Sequence, residues 1–243
     1  MTARAGLVVV LALLGCATSP VRRHRHRLSP PARESRAGAP KRSAGPSPGV
    51  LASHAARGSS LSAARARGDV FRAIEAASAL VGRNTIVLDG VDYGPGCAAL
   101  VLAAFAHAGH PFPPEVHDAA GVHAFASYHC ALAAPRAPTA GDLVFLADRP
   151  GGLPAHVGLV TRADPDGTAL VLHRLARGVE RVRINLAYPE QSADPATGRR
   201  INDLLIVKAR AIPAGSLVVA ISDLLRRRST SCGSSLKQKP AKG

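Results

Sequence analysis

Aromatic residues are scarce in this chain: there is no tryptophan, and three tyrosines and five phenylalanines make up 3% of 243 residues. A face that binds single-stranded nucleic acid needs stacking rings interleaved with clustered cations, so that class is disfavoured. A second shortage is of long hydrophobic runs. The longest near the start, Leu7 to Leu14 in "MTARAGLVVVLALLGCATSP", is far below the roughly 20 residues that a helix needs to cross a bilayer. The third shortage is of net charge where a domain would lie. The formal charge is +15, but twelve Lys/Arg precede Gly68 and six follow Pro213, leaving 13 in residues 68–212 against 14 Asp/Glu. The positive charge therefore belongs to the two ends and not to a folded binding face. No internal repeat is visible.

What is present at the start reads as an export signal. Arg4 supplies a short positive region, an apolar stretch follows, and Leu13-Leu14-Gly15 stands directly before Cys16. The arrangement resembles a bacterial lipobox, which implies residues 1–15 as a cleaved lipoprotein signal peptide and Cys16 as the lipid-bearing residue. The plainer alternative is an ordinary signal with an incidental cysteine. Residues 16–67, rich in Arg, Ser, Pro and Ala with little apolar periodicity, are expected to be a disordered basic tether, and residues 226–243 a second disordered basic tail. If Cys16 is lipidated, three cysteines remain in an oxidising compartment. A Cys130–Cys232 disulfide would then leave Cys97 as a thiol.

One domain is expected over residues 68–225. "GDVFRAIEAASALVGR" spaces Val70, Phe71, Ile74, Ala77 and Leu80 as one helical face. After the Gly94-Pro95-Gly96 turn, Cys97 to His107 is apolar on every side, which predicts a central buried helix with Cys97 in its first turn. There the helix dipole and exposed N–H groups favour a thiolate. "GVHAFASYHCAL" predicts a second helix beside the cleft. Four short strands are expected over Asp142–Leu146, His156–Thr161, Ala169–Leu175 and Val179–Ile184, with "SLVVAISDLL" as a closing strand or helix. Treating Asp164–Gly167 as a simple turn pairs Gly158 with His173, which puts His156 and His173 on one face, one diagonal step apart. A cysteine opposite two histidines supplies a nucleophile, a base and an orienting group. Asp142 is expected to cap a strand end, and Gly141 and Gly158 to serve turns or close packing. His107, His110, His117, His123 and His129 with Cys130 fit no common metal-ligand spacing, so no metal and no cofactor are expected.

"GCAALVLAAFAHAGH", "AGDLVFL", "AHVGLV" and "LVLHRLARGVERVRI", in that order, resemble the NlpC/P60 and CHAP superfamily of papain-like cysteine amidohydrolases and peptidases that act on peptidoglycan. The likeness spans about Arg72 to Val207. It implies an α+β fold with a papain-like core, in which a central helix bearing the cysteine packs on an antiparallel β-sheet. It also implies Cys97 as nucleophile, His156 as general base, His173 as the group orienting that base, and Tyr93 near the oxyanion site. Where the family usually carries Asp-Cys-Ser-Gly or Asp-Cys-Thr-Gly, this chain has Gly96-Cys97-Ala98-Ala99. The implied function is cleavage of peptidoglycan peptide or muramoyl-amide bonds by an exported, lipid-anchored monomer held at a bacterial membrane, with no nucleic-acid partner. The alternative is a non-catalytic peptidoglycan-binding lipoprotein that keeps the fold.

Overall fold

A computed structural model of the chain describes the backbone of residues 48–227 and the side chains of residues 63–227. The expected leader, Cys16, most of the tether, Cys232 and the final basic residues lie outside the described residues. The first helix, α1 (Pro48–Ala79), starts well before Gly68. Twenty residues assigned to the disordered tether are therefore helical. Their Ala, Leu and Arg content supports this, since these residues lose little rotamer freedom in a helix. In the second half of α1, Asp69, Ala73, Ala76 and Ala77, with Leu80 just beyond, are buried at three- and four-residue spacing. Phe71, expected on the apolar face, is turned to solvent.

Two short strands, β1 (Val87–Leu88) and β2 (Val91–Asp92), form a minimal hairpin around the Asp89–Gly90 turn. The buried helix α2 runs Ala99–His107, and Ala99, Leu100, Val101, Ala103, Ala104 and Phe105 are all inside, as an all-apolar helix must be. A second helix, α3 (Ala119–Tyr128), begins at Asp118, whose carboxylate accepts the Gly121 N–H at 2.7 Å.

The main sheet holds β3 (Leu132–Ala133), β4 (Leu143–Ala147), β5 (Pro154–Ala163), β6 (Thr168–Leu175) and β7 (Gly178–Asn185). The small hairpin of β8 (Leu204–Val207) and β9 (Arg210–Pro213) follows, and the chain then returns as β10 (Val218–Ser222) between β3 and β4, ending in α4 (Leu224–Arg227). The six-stranded order is β3-β10-β4-β5-β6-β7, antiparallel throughout, so the fold class is α+β. One face of this sheet carries Leu143, Phe145, Val157, Leu159 and Leu172 against α2. The other carries Val144, Leu146, Val160, Val171 and Val182 against the β8–β9 hairpin and the turn at Ala214–Leu217. The four strands expected over 142–184 are β4 to β7, and the closing segment, expected as a strand or a helix, is the sheet-inserted β10 followed by the short α4.

Asp142, just before β4, is fully buried. It accepts Thr139 N–H at 2.8 Å, lies 3.2 Å from Arg136, and is paired with Arg226 of α4. The role expected of it, fixing a strand end, is therefore joined by a second: it ties the end of the domain to the sheet. Arg226 and Arg227 accordingly belong to the fold, not to a disordered tail. Because removing the acid strands two cations, Asp142→Ala should cost about 3 kcal/mol in urea unfolding. An Arg136→Ala change alone should cost less, since that side chain is partly exposed.

Candidate active site

The β5–β6 ladder brings the two histidines together. Gly158 pairs with His173, Leu159 with Leu172 and Val160 with Val171, which is the pairing expected at the histidines. The turn alone does not set it: next to Asp164–Gly167 the register runs one residue off, Ala163 facing Ala169, and a bulge at Thr161 restores it. The close pairing also needs Gly158. A Cβ there would stand 2.5 Å from Val171 Cγ1 and 2.9 Å from the Leu172 carbonyl oxygen, so no other residue fits without moving a strand. The rings of His156 and His173 meet edge to face, centroids 5.4 Å apart.

The two rings are held very differently. His156, 7% exposed, places Nε2 2.9 Å from Asp148 Oδ1, in the loop after β4. A carboxylate can only accept, so Nε2 carries a hydrogen, and in the neutral ring the lone pair is on Nδ1. That Nδ1 is buried and has no hydrogen-bond partner. His173, 2% exposed, has no partner at either nitrogen. Burial first, then the neighbouring His156 and Arg174 charges, hold its pKa down at about 3, so the ring is neutral at physiological pH. His173 was expected to fix the tautomer of His156. It does not, because edge-to-face rings at this separation bring no nitrogen pair into bonding distance, and Asp148 does so instead. Sequence reading missed Asp148: it lies in "ADRPGGLP", a loop with no catalytic spacing to mark it.

Cys97 is 5% exposed and sits two residues before α2, one before its N-cap Ala98. It therefore precedes the first turn in which it was expected. The left-handed Gly94, φ +75°, turns the chain into this position. The Cys97 thiol donates to the Ala155 carbonyl at 3.4 Å, the residue immediately before His156. The pleat, however, sends the His156 and His173 side chains to the face that holds Leu146 and Val171, while Cys97 packs with the α2 face. The expectation that both imidazoles face the cysteine's helix is thus corrected: the pleat turns them to the other face of the sheet, and the contact between Cys97 and β5 is the thiol's bond to the Ala155 backbone carbonyl. Tyr93 is half-buried against the same core, its phenol pKa raised by burial and by Asp89.

The remaining histidines disperse. His107 pairs with Asp89 at 2.8 Å, His110 with Asp69 at 2.6 Å, His117 with the Glu115 carbonyl at 2.9 Å, and His123 packs its ring on Phe145. Among the described residues, no three His, Cys, Asp or Glu side chains converge as a metal site, and no helix is long and apolar enough to cross a membrane. Cys130 is disulfide-bonded and Cys97 is not its partner, while the expected second half of that bridge, Cys232, lies outside the described residues.

No protein-family model and no curated protein matches this chain. A solved structure, "The crystal structure of Ly7917", resembles it with a TM-score of 0.37 and 17% identity, covering 63% of this chain and 61% of that one. The chain thus spans less than two thirds of the length of the structure it matches.

The neutral His173 has a measurable consequence. An unfolded histidine titrates near pH 6.5 and the buried ring near 3, so the unfolded chain binds the extra proton in between. Stability is full above about pH 6.5 and falls as pH drops toward 3, by up to about 1.4 kcal/mol per pH unit from this one group. Urea unfolding of His173→Gln between pH 4 and 7 should show a correspondingly flatter profile. Parallel profiles for the two proteins would show that His173 is not buried neutral.

Proposed function

We propose that the chain is an exported, lipid-anchored cysteine amidohydrolase with a papain-like core, cleaving peptide or muramoyl-amide bonds of peptidoglycan. One observation carries this reading most: the base nitrogen of His156 is defined by Asp148, on a strand whose preceding carbonyl already holds the Cys97 thiol. The resemblance in the order of the motifs supplies the substrate class. No cofactor is called for.

The reaction this reading calls for passes the Cys97 proton to His156, which requires the β5 end to rearrange so that the imidazole, now on the other face of the sheet, reaches the sulfur; the thiolate then attacks the amide carbonyl. The Cys97 backbone N–H, with Tyr93 beside it, holds the oxyanion. Imidazolium protonates the leaving amine as the C–N bond breaks, leaving a thioester. Water, deprotonated by His156, then attacks the thioester and releases the acid and the thiol. Asp148 keeps the proton on Nε2 and stabilises the imidazolium, the part first assigned to His173. His173 contributes a dry, uncharged wall.

A second reading, a non-catalytic peptidoglycan-binding lipoprotein, is favoured by a specific observation. The thiol is bonded to a carbonyl and His156 Nδ1 to nothing.

Release of soluble fragments from purified peptidoglycan by the full chain separates the two. The amidohydrolase reading expects release that falls to background in Cys97→Ala and by about 10²–10⁴-fold in His156→Ala. Asp148→Ala should fall between wild type and His156→Ala, while His173→Gln should retain most activity. Peptidoglycan that pellets the protein without any fragment release, unchanged by Cys97→Ala, would establish the binding reading.

A further inference from the structure

At the opposite end of β5 from His156, roughly 20 Å away at about 3.3 Å per residue, the surface holds a second built feature. Arg162, Asp164, Thr168, Arg183, Arg199 and Arg200 line one open basin of about 470 Å³. Four of its six lining residues are arginines and one is an acid, Asp164, while Asp166 and Asp203 stand beside it as ion-pair partners. Arg162 Nε lies 2.9 Å from Asp164, Arg183 Nη1 is 3.3 Å and Arg200 Nη1 3.8 Å from Asp203, and Arg199 is paired with Asp166. In every pair the guanidinium is at least half exposed and the carboxylate a third exposed or less. The acids therefore screen four neighbouring cations from one another and pin them, while each arginine side chain stays at least half exposed.

The platform beneath is rigid by construction. Residues 186–203 connect β7 to β8 without regular structure, and connections longer than about 12–15 residues are uncommon unless they serve a function. Two buried asparagines hold this one. Asn202, fully buried, accepts from Asn185 N at 2.8 Å and Gly215 N at 3.0 Å and donates to the Tyr188 and Gln191 carbonyls at 2.9 and 2.8 Å. Asn185 donates to the Asp166 carbonyl at 3.1 Å and to Thr168 Oγ1 at 3.2 Å, joining this loop to the β5–β6 turn. Arg199 and Arg200 are thereby carried to fixed places beside Arg162 and Arg183. A solvated surface loop has no need of such a buried lock.

We propose that this basin binds phosphate groups. Planar, half-exposed guanidiniums match the paired oxygens of a phosphate, and several of them around one depression favour a group with two or more negative charges over a single carboxylate. The phosphate is carried either by a soluble compound or by a lipid headgroup. This site is independent of the Cys97 chemistry and stands whichever way that reading falls.

The test is calorimetric titration of the full chain with pyrophosphate, and co-sedimentation with phosphatidylcholine vesicles with and without phosphatidylglycerol. Wild type is compared with Arg199→Gln/Arg200→Gln and with Arg65→Gln/Arg67→Gln, a pair of the same charge on the exposed face of α1. All three should melt at similar temperatures. The basin pair should weaken at least one probe by about tenfold or more, and more so at low salt, while the α1 pair leaves it unchanged. Loss confined to pyrophosphate assigns a soluble phosphate, and loss confined to the anionic vesicles assigns the headgroup. Equal weakening in both double variants, or no binding of either probe by wild type, would overturn the proposal.

Discussion

The pairing of β5 with β6 is the constraint on which the rest of the site depends. A pleated strand sends alternate side chains to opposite faces, so a one-residue slip between β5 and β6 would turn one of His156 and His173 to the α2 face and part the two rings. Two features hold the register. Gly158 admits the close approach of Val171 and the Leu172 carbonyl, and the bulge at Thr161 absorbs the residue by which the Asp164–Gly167 turn would otherwise misplace the ladder. The same strand delivers the Ala155 carbonyl to Cys97 at one end and Arg162 to the arginine basin at the other. One ordered strand thus links two chemically different surfaces.

Burial explains both the strength and the quietness of the candidate site. Excluding water keeps His173 uncharged, whereas the Asp148 carboxylate that bonds His156 is more than half exposed and holds the ring from the solvent side. The same burial leaves His156 Nδ1 and both His173 nitrogens unbonded. Unsatisfied atoms of this kind mark a place where a substrate group or a water molecule would be bound favourably.

Much of the architecture was legible because it follows from periodicity. The all-apolar run after Cys97 had to be a buried helix, and the alternating segments of the second half became β4 to β7 with ends shifted by one or two residues. Other features were not legible. The start of α1 was hidden because an Ala- and Arg-rich segment satisfies both a disordered and a helical composition. Asp148 was hidden because its partner is set by the path of a loop, not by spacing. The face on which the histidines lie relative to Cys97 was hidden because it depends on how α2 packs across the sheet, a long-range fact that local pattern does not carry. The β8–β9 hairpin and the asparagine lock beneath residues 186–203 were likewise invisible, being made of short strands and of single polar residues whose partners are far away in sequence.

The central claim is that Cys97 and His156 act as a nucleophile and its base. The most direct measurement is the rate of Cys97 alkylation by iodoacetamide, followed by mass spectrometry from pH 5 to 9, in wild type and in His156→Ala. The account predicts that wild type reacts faster than a simple thiol near neutral pH and that His156→Ala loses this advantage. Equal, slow alkylation of both proteins would contradict it and leave Cys97 as a buried core residue.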